Sequence, residues 1–369
     1  MSIDRMLSRR IIFGALGLLL TAGCASGPTA KERYYWPRLP DTPRLEWLAA
    51  YSGEADLRAD TLLSKIIEVE APRQLAMPNY LVSDGEGKIY VADSKREGVF
   101  IFDLNKRKVQ ILGEGSLEKP VKASGIALDK DGNIYAADTA QMAVFVYDRD
   151  YHHLKKLELG GKVISIGSMA IDKVNGRLIV PDIKGHKIVV FDLNGALLKS
   201  FGERGDADGN FNYPTAVAVE KDGNFLVCDS QNARIQRFSP DGTFLFKFGK
   251  RGDNPGEFAV IKAVAVDSEG HIYVSDGKLN TINIFGPKGE FLMSFGGSYA
   301  YDGTLVMPAG FLIPQGIAID KNDTIYIADQ MNGRIQVFQY LNEKYLKVHP
   351  LSEGVPALEV GQKKSPKGK

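Results

Sequence analysis

Six aspartates divide the chain into units of nearly constant length. Each one ends a hydrophobic run, and successive members are separated by 45, 44, 47, 47 and 53 residues. They are Asp93, Asp138, Asp182, Asp229, Asp276 and Asp329. This spacing is the period of a four-stranded propeller blade. The chain is therefore built from one repeated unit, and the repeat decides its fold class.

A complete unit contains four short apolar runs separated by turns. In the second unit, the first two runs flank Asp129–Asn133, whose Gly132 can supply the positive φ that tight hairpins require. In the fourth unit, the third run is Arg234–Phe238 and the fourth is Phe244–Gly249. The pattern predicts an all-β fold of four-stranded antiparallel blades repeated radially. This arrangement protects most of the sheet edges that an open sheet would expose.

Three stretches of the chain resemble the NHL repeat: Phe201–Val219, Asp229–Gln236 and Asp329–Gln336. The fourth and sixth units match it best. The first three lack its Asn-x-Arg-Ile-Gln core and are recognised by their position in the repeat period and by their aspartates. The resemblance extends from about residue 44 to residue 341. It implies a six-bladed β-propeller of the bacterial lipoprotein type. Adaptors, receptor ectodomains and a few enzymes share this fold, so function must be argued from particular residues.

The last unit has only three clear strands, and the ring needs a fourth to close. Arg44–Gly53 is an unpaired strand pattern near the other end of the chain, and we expect it to complete blade six beside Arg334–Tyr340. The segment Asn342–Val348 is the alternative, but Asn342 is a helix-capping residue and favours a short helix there. We therefore expect a propeller over 44–341, followed by a short helix and a disordered basic tail over 342–369.

The N-terminus has the pattern of a secretion signal. Within residues 1–23, three arginines precede an apolar run that is too short for a comfortable membrane span. The run ends in Leu-Thr-Ala-Gly before Cys24, which resembles a bacterial lipobox and implies acylation of that thiol. An ordinary signal peptide or an uncleaved anchor is the alternative.

The residues after Cys24 indicate where the propeller is held. Ala25 favours sorting to the outer membrane, and the proline-rich stretch 24–43 predicts a flexible tether. We therefore expect a lipid-anchored protein of the bacterial cell envelope. If Cys24 carries lipid, Cys228 has no cysteine to pair with, and its apolar strand predicts a buried thiol.

Net charge excludes one class of partner. The full chain carries +1 at pH 7, and its first 23 residues contain three arginines and one aspartate, so the mature chain carries −1. No global positive field favours nucleic acid, and an envelope location disfavours it further. The expected partners are another envelope protein and, through the lipid on Cys24, the membrane.

The innermost strands should bring one residue from each blade close to the propeller axis. Alignment of the units places five polar residues and Gly167 in this ring, without a carboxylate or a histidine. We therefore expect no metal, no cofactor and no catalytic residue at this channel mouth. The repeat aspartates, present in every unit, are interpreted as structural acceptors. The alternative is a hydrolase or lyase with a site at the channel mouth. The polar ring residues are Asn79, Ser124, Thr215, Lys262 and Gln315.

Two features favour binding instead. The loops after the repeat aspartates should emerge on one face and form a positive rim, and the long loop 297–314 carries aromatic and methionine residues, which are favoured at interfaces. For the positive rim, the alternative partner is an anionic glycan or peptide. For the long loop, the alternative is that its residues pack onto blades five and six. The rim residues are Lys95, Arg96, Lys184, Lys187, Arg234, Lys278 and Arg334, opposed by Glu97, and the loop residues are Tyr299, Tyr301, Met307 and Phe311.

Overall fold

The computed structural model describes residues 33–38, 40–57, 73–96, 98–301 and 305–351. The predicted signal segment, Cys24 and the basic tail beyond residue 351 lie outside the described residues. Among the described helices, none has the length and apolar character needed to span a bilayer.

The described chain forms a six-bladed β-propeller, as predicted. Five blades are sheets of four antiparallel strands, and the sixth has one additional outer strand; in every blade the strand that comes first after the inter-blade loop is the innermost. The strands that open the chain are β1 (Tyr34–Trp36) and β2 (Leu45–Tyr51). Blades one to three contain β3 (Pro78–Ser83), β4 (Lys88–Asp93), β5 (Gly98–Asp103), β6 (Lys108–Ile111), β7 (Ala123–Leu128), β8 (Ile134–Asp138), β9 (Ala143–Tyr147), β10 (His153–Glu158), β11 (Ala170–Asp172), β12 (Arg177–Asp182), β13 (Lys187–Asp192) and β14 (Leu197–Phe201).

Blades four and five follow the same order, and a short parallel pair interrupts the chain before blade six. Single turns of 3-10 helix lie at Glu54–Leu57, Ser230–Asn232 and Gln330–Asn332. The remaining strands are β15 (Pro214–Val219), β16 (Phe225–Asp229), β17 (Arg234–Phe238), β18 (Phe244–Phe248), β19 (Ile261–Val266), β20 (Ile272–Asp276), β21 (Thr281–Phe285), β22 (Phe291–Phe295), the parallel pair β23 (Gly297–Ser298) and β24 (Gly310–Phe311), and in blade six β25 (Pro314–Ile319), β26 (Thr324–Asp329) and β27 (Arg334–Tyr340).

The N-terminal strand closes the ring, as predicted. β2 pairs antiparallel with β27, from Leu45 opposite Tyr340 to Tyr51 opposite Ile335. The sheet extends one strand further than expected, because β1 pairs with β2 on its outer side. The expected tether over 24–43 is therefore wrong for Tyr34–Trp36, which form a strand. Arg33 fixes this strand by two hydrogen bonds to the Glu46 carboxylate, at 2.7 and 2.8 Å.

A short helix, α1 (Glu343–Val348), follows β27. The side chain of Asn342 accepts a hydrogen bond from the Tyr345 backbone N–H, which is the N-cap geometry expected from the sequence. This segment therefore does not supply the closing strand.

Small residues let the inner strands approach one another. A Cβ atom on Gly316 would lie 2.4 Å from the Asn79 carbonyl oxygen, and one on Gly167 would lie 2.6 Å from that of Thr215. Cys228 is fully buried in β16, and burial raises the pKa of its thiol. The inner strands are therefore too close together for a side chain at Gly316 or Gly167.

The propeller has two distinct faces. The loop face carries the repeat aspartates, the turns between the second and third strands, and the loops between blades. The hairpin face carries the hairpins between the first and second strands and between the third and fourth strands.

Candidate functional site

The repeat aspartates organise the backbone of the loop face. The Asp138 carboxylate accepts hydrogen bonds from the backbone N–H groups of Val121 and Lys122 on one side and of Ala140 and Gln141 on the other. Burial acts to raise the pKa of Asp138, but these four donors together hold it below its ordinary value. Each such aspartate ties an inter-blade loop to a turn within a blade, so the loops of this face are held rigidly.

Two of the seven expected rim cations are buried rather than exposed. The Nε of Arg234 lies 2.8 Å from Asp229 Oδ2, and the Nε of Arg334 lies 2.8 Å from Asp329 Oδ2. Burial raises the pKa of both aspartates despite these ion pairs. The expectation of a rim is therefore wrong for Arg234 and Arg334. The Asn-x-Arg-Ile-Gln pattern places its arginine opposite the aspartate, where the guanidinium compensates the buried charge.

The other rim cations lie on the loop face. Lys95, Arg96, Lys184 and Lys278 are exposed. Lys187 is half-buried, with its Nζ 4.0 Å from the carboxylate of Asp182. Glu97 lies outside the described residues.

The predicted channel-mouth residues line the loop-face end of the axis. Gln330 donates a hydrogen bond to the side-chain oxygen of Asn79, and Thr215 Oγ1 donates to the Lys262 carbonyl at 3.0 Å. The Ser124 hydroxyl is buried without a partner among the described residues. Burial lowers the pKa of Lys262.

Tyr80 closes the axis just inside this ring. Its hydroxyl accepts a hydrogen bond from Gln315 Nε2 at 3.3 Å, and its ring belongs to the same buried cluster as Ala216 and Ala263 of blades four and five. Burial raises the pKa of Tyr80 to about 12. Tyr80 of blade one therefore packs across the axis toward blades four and five.

The long loop is fastened to blade six. Tyr301 N–H donates to the Asn332 side chain at 2.7 Å, and the Arg334 guanidinium lies 5.9 Å from the ring centre of Tyr299 and 5.2 Å from that of Tyr301. Phe311 is fully buried, so its assignment to a binding surface is wrong. It packs on Phe295 and Phe338, at 6.3 and 6.2 Å between ring centres. Met307 is exposed.

The structure adds exposed apolar residues to the loop face that the sequence analysis did not identify. Ile164 is 66% exposed, Tyr213 is 41% exposed and Met331 is 50% exposed, and Val121 is also on the surface. The Tyr213 ring is braced by His186, whose ring centre is 4.7 Å away. These residues occupy loop positions beside the repeat aspartates. Aligning the loops of the six units position by position, as well as the strands, would have identified these apolar residues.

The hairpin face carries a ring of acids that the sequence analysis also passed over. One acid lies at the end of the inner strand of every blade. In most blades this acid accepts hydrogen bonds from turn N–H groups, as Asp129 does from Asp131 and Asn133 at 2.9 and 2.8 Å. Within the described ranges, histidine, cysteine, aspartate and glutamate side chains nowhere converge in a group of three that could hold a metal ion. The six acids are Asp84, Asp129, Asp172, Glu220, Asp267 and Asp320.

Two family descriptions match parts of this chain. Residues 206–295 match a family described as a 6-bladed β-propeller, and residues 311–338 match the NHL repeat. The second match contains Asp329 and Arg334. These matches and the six observed blades confirm the resemblance on which the fold prediction rests. No curated protein has a significant sequence match to the chain.

Solved structures share the fold at low sequence identity. A Bacteroides thetaiotaomicron protein of unknown function is 18% identical, with a TM-score of 0.59, and the alignment covers 72% of this chain and 70% of that one. A streptogramin B lyase is 12% identical, with a TM-score of 0.51 and coverage of 73% and 95%. A catalytically inactive virginiamycin B lyase from Staphylococcus aureus, solved with quinupristin, is 16% identical, with a TM-score of 0.51 and coverage of 75% and 89%. At these identities the likeness concerns the fold alone.

Proposed function

We propose that this protein is a lipid-anchored binding module of the bacterial cell envelope, whose loop face docks another envelope protein. The observation that carries the proposal is the composition of that face. Exposed apolar side chains such as Ile164, Tyr213 and Met331 alternate with exposed cations such as Lys184 and Lys278. Exposed apolar and charged side chains on one rigid face favour protein docking, because apolar groups form the core of an interface and polar groups form its rim.

Rigidity of the backbone supports this function. The aspartates hold the loops that present these side chains. Asp93 does so through the backbone N–H groups of Ala76, Met77, Lys95 and Arg96, whereas Asp229 and Asp329 accept one loop N–H each and several side-chain donors. A surface that is ordered before binding loses less conformational entropy when a partner docks. Loops held on a rigid scaffold often carry binding residues.

Site-specific photo-crosslinking tests the loop face. A photoreactive phenylalanine analogue placed at Ile164 or at Tyr213 in the full-length chain is expected to crosslink discrete proteins in envelope extract of the source organism. The matched control places the analogue at Val174, which is 65% exposed on the hairpin face. The readout is the pattern of crosslinked bands after affinity purification under denaturing conditions.

The control position decides the outcome. Crosslinks of equal strength from Val174, or their absence at both loop-face positions, would contradict docking through the loop face. Reversing the charges of Lys184 and Lys278 together measures how much electrostatic attraction contributes to docking. If this variant loses as much crosslinking as the unchanged protein loses at high salt, the partner is acidic, because salt screens exposed charges.

The lipid anchor is tested by the two cysteines of the chain. Replacing Cys24→Ser is expected to abolish incorporation of radiolabelled palmitate and to release the protein from the membrane fraction, because acylation needs that thiol. Replacing Cys228→Ser is the matched control and should leave both unchanged, since Cys228 is fully buried in β16. Palmitate labelling that persists in Cys24→Ser would contradict the anchor.

A further inference from the structure

A cleft opens between blades five and six on the hairpin side, at the place where the ring closes. Its volume is about 510 Å³, which lies within the range of small-molecule sites. Blade five supplies one wall. Blade six and the segment that leads into β2 supply the other, with Tyr340, Arg44, Leu45, Thr42 and Pro37.

The corresponding cleft between blades three and four is almost filled. Its volume is about 50 Å³, although the wall that faces it is built from the same strand positions. Residues at the same distance in sequence from the repeat aspartates Asp182 and Asp276 occupy equivalent positions in blades three and five. The equivalent pairs are Arg177 and His271, Ile179 and Tyr273, Val190 and Ile284, Leu198 and Leu292, and Lys199 and Met293. The tenfold difference in volume therefore arises on the opposite wall.

In blade four, a hairpin covers the cleft. The turn between β17 and β18 reaches over blade three, where Arg177 Nη1 donates to the Pro240 carbonyl at 2.6 Å and Lys199 Nζ donates to the carbonyl of Asp241. A Cβ atom on Gly242 would lie 3.1 Å from the ring of Phe201, so the hairpin packs directly on blade three. The cleft beneath it is closed by backbone.

Blade six has no such hairpin, because its fourth strand comes from the N-terminus. β27 leads into α1 instead, and β2 enters from residues 37–44. His271 and Met293 occupy the positions of Arg177 and Lys199, but within the described ranges neither side chain contacts a turn carbonyl through a hydrogen bond, and His271 bonds to Asp267 instead. The open cleft is thus a direct consequence of the way in which the ring is closed.

The cleft combines an apolar wall with a polar end. Ile284, Leu292 and Met293 supply aliphatic surface. At the polar end, His271 Nδ1 lies 2.8 Å from Asp267 Oδ2, which leaves Nε2 for a further partner, and the Tyr340 hydroxyl donates to Glu269 at 2.9 Å. Glu269 is therefore already engaged.

Arg44 is the cation of the polar end. Within the part of the chain that the structure describes, its guanidinium makes no hydrogen bond or ion pair. The hydrogen bond to Asp267 raises the pKa of His271, and burial raises the pKa of Tyr340. The positive charge of Arg44 acts to lower both pKa values. An arginine without a partner beside an imidazole favours an anionic group, which it can bind by two parallel hydrogen bonds.

We propose that this cleft binds a small molecule with an apolar body and one carboxylate, with the carboxylate against Arg44 and His271 and the body on Ile284, Leu292 and Met293. The site is separate from the loop face and does not depend on the docking function proposed above.

Three probes of equal size test the ligand class: 3-phenylpropanoate, 3-phenylpropan-1-ol and 3-phenylpropylamine. Each is titrated against the full-length chain in lipid nanodiscs by isothermal calorimetry at millimolar concentrations. Saturable binding of the carboxylate is expected to be at least about tenfold tighter than binding of the alcohol or the amine. Replacing Arg44→Met should remove this preference, whereas Arg38→Met, in the same segment, should not.

A second pair of variants locates the site. Replacing Leu292→Trp fills the cleft and is expected to weaken carboxylate binding about tenfold or more, since the apolar body loses its space. Leu198→Trp places the same side chain at the equivalent position of the covered cleft and should leave binding unchanged. Tighter binding of the amine, equal effects of Leu292→Trp and Leu198→Trp, or no saturable binding of any probe would overturn the proposal.

Discussion

Replacing Arg334→Ala is expected to lower the free energy of unfolding by about 3–5 kcal/mol, because it leaves a buried carboxylate without its cation. Arg334 and Asp329 are both fully buried, and their side chains are 2.8 Å apart. The guanidinium also donates to the Gly310 carbonyl at 2.7 Å, so the same change removes one of the hydrogen bonds that hold the long loop on blade six. Urea denaturation followed by circular dichroism measures the loss.

Two further variants separate the ion pair from other effects. Lys278→Ala, which removes an exposed cation of the same face, should change the free energy of unfolding by less than about 0.5 kcal/mol. The double variant Asp329→Asn with Arg334→Met should lose less than the sum of its single changes, since neither leaves an uncompensated charge once both are present. A loss below about 1 kcal/mol for Arg334→Ala would contradict the role of this pair.

The sequence predicted the blades because each one repeats the same local physics. Apolar alternation, a glycine turn and an aspartate recur at a fixed period, so the register of one unit constrains the others. The closing strand was also predictable, since the last unit was visibly one strand short. The strand Tyr34–Trp36 was not predictable, because three residues are too few for a periodic pattern and its pairing depends on the distant Glu46.

The sites were less predictable than the fold. Arg234 and Arg334 looked like surface cations because charge alone does not reveal burial, and only their contacts with the repeat aspartates show it. The exposed Ile164 and Met331 lie in loops, whose apolar residues carry no period. The cleft beside His271 was invisible for another reason: it results from a missing hairpin, and its walls come from residues about 230 positions apart.

The N-terminal segment offers the second large effect. A chain that begins at residue 44, the boundary expected from the sequence, is predicted to be about 3 kcal/mol less stable than one that begins at residue 33. The shorter chain lacks Arg33, which leaves the buried Glu46 without its cation, and it lacks Trp36, whose ring centre lies 5.6 Å from that of Phe338. Urea denaturation of the two chains gives the difference.

Point variants keep this prediction independent of chain length. In the full chain, Trp36→Ala should lose about 2 kcal/mol through the vacated contacts with Phe295 and Phe338, whereas Asp41→Ala, an exposed change in the same segment, should lose almost nothing. Equal stability of the chains that begin at residues 33 and 44 would show that β1 adds nothing to closure.

A chain that begins at residue 53 also lacks β2, so β27 becomes an unpaired edge over part of the core. We expect that chain to aggregate, as measured by size-exclusion chromatography, because an exposed apolar edge pairs with other chains.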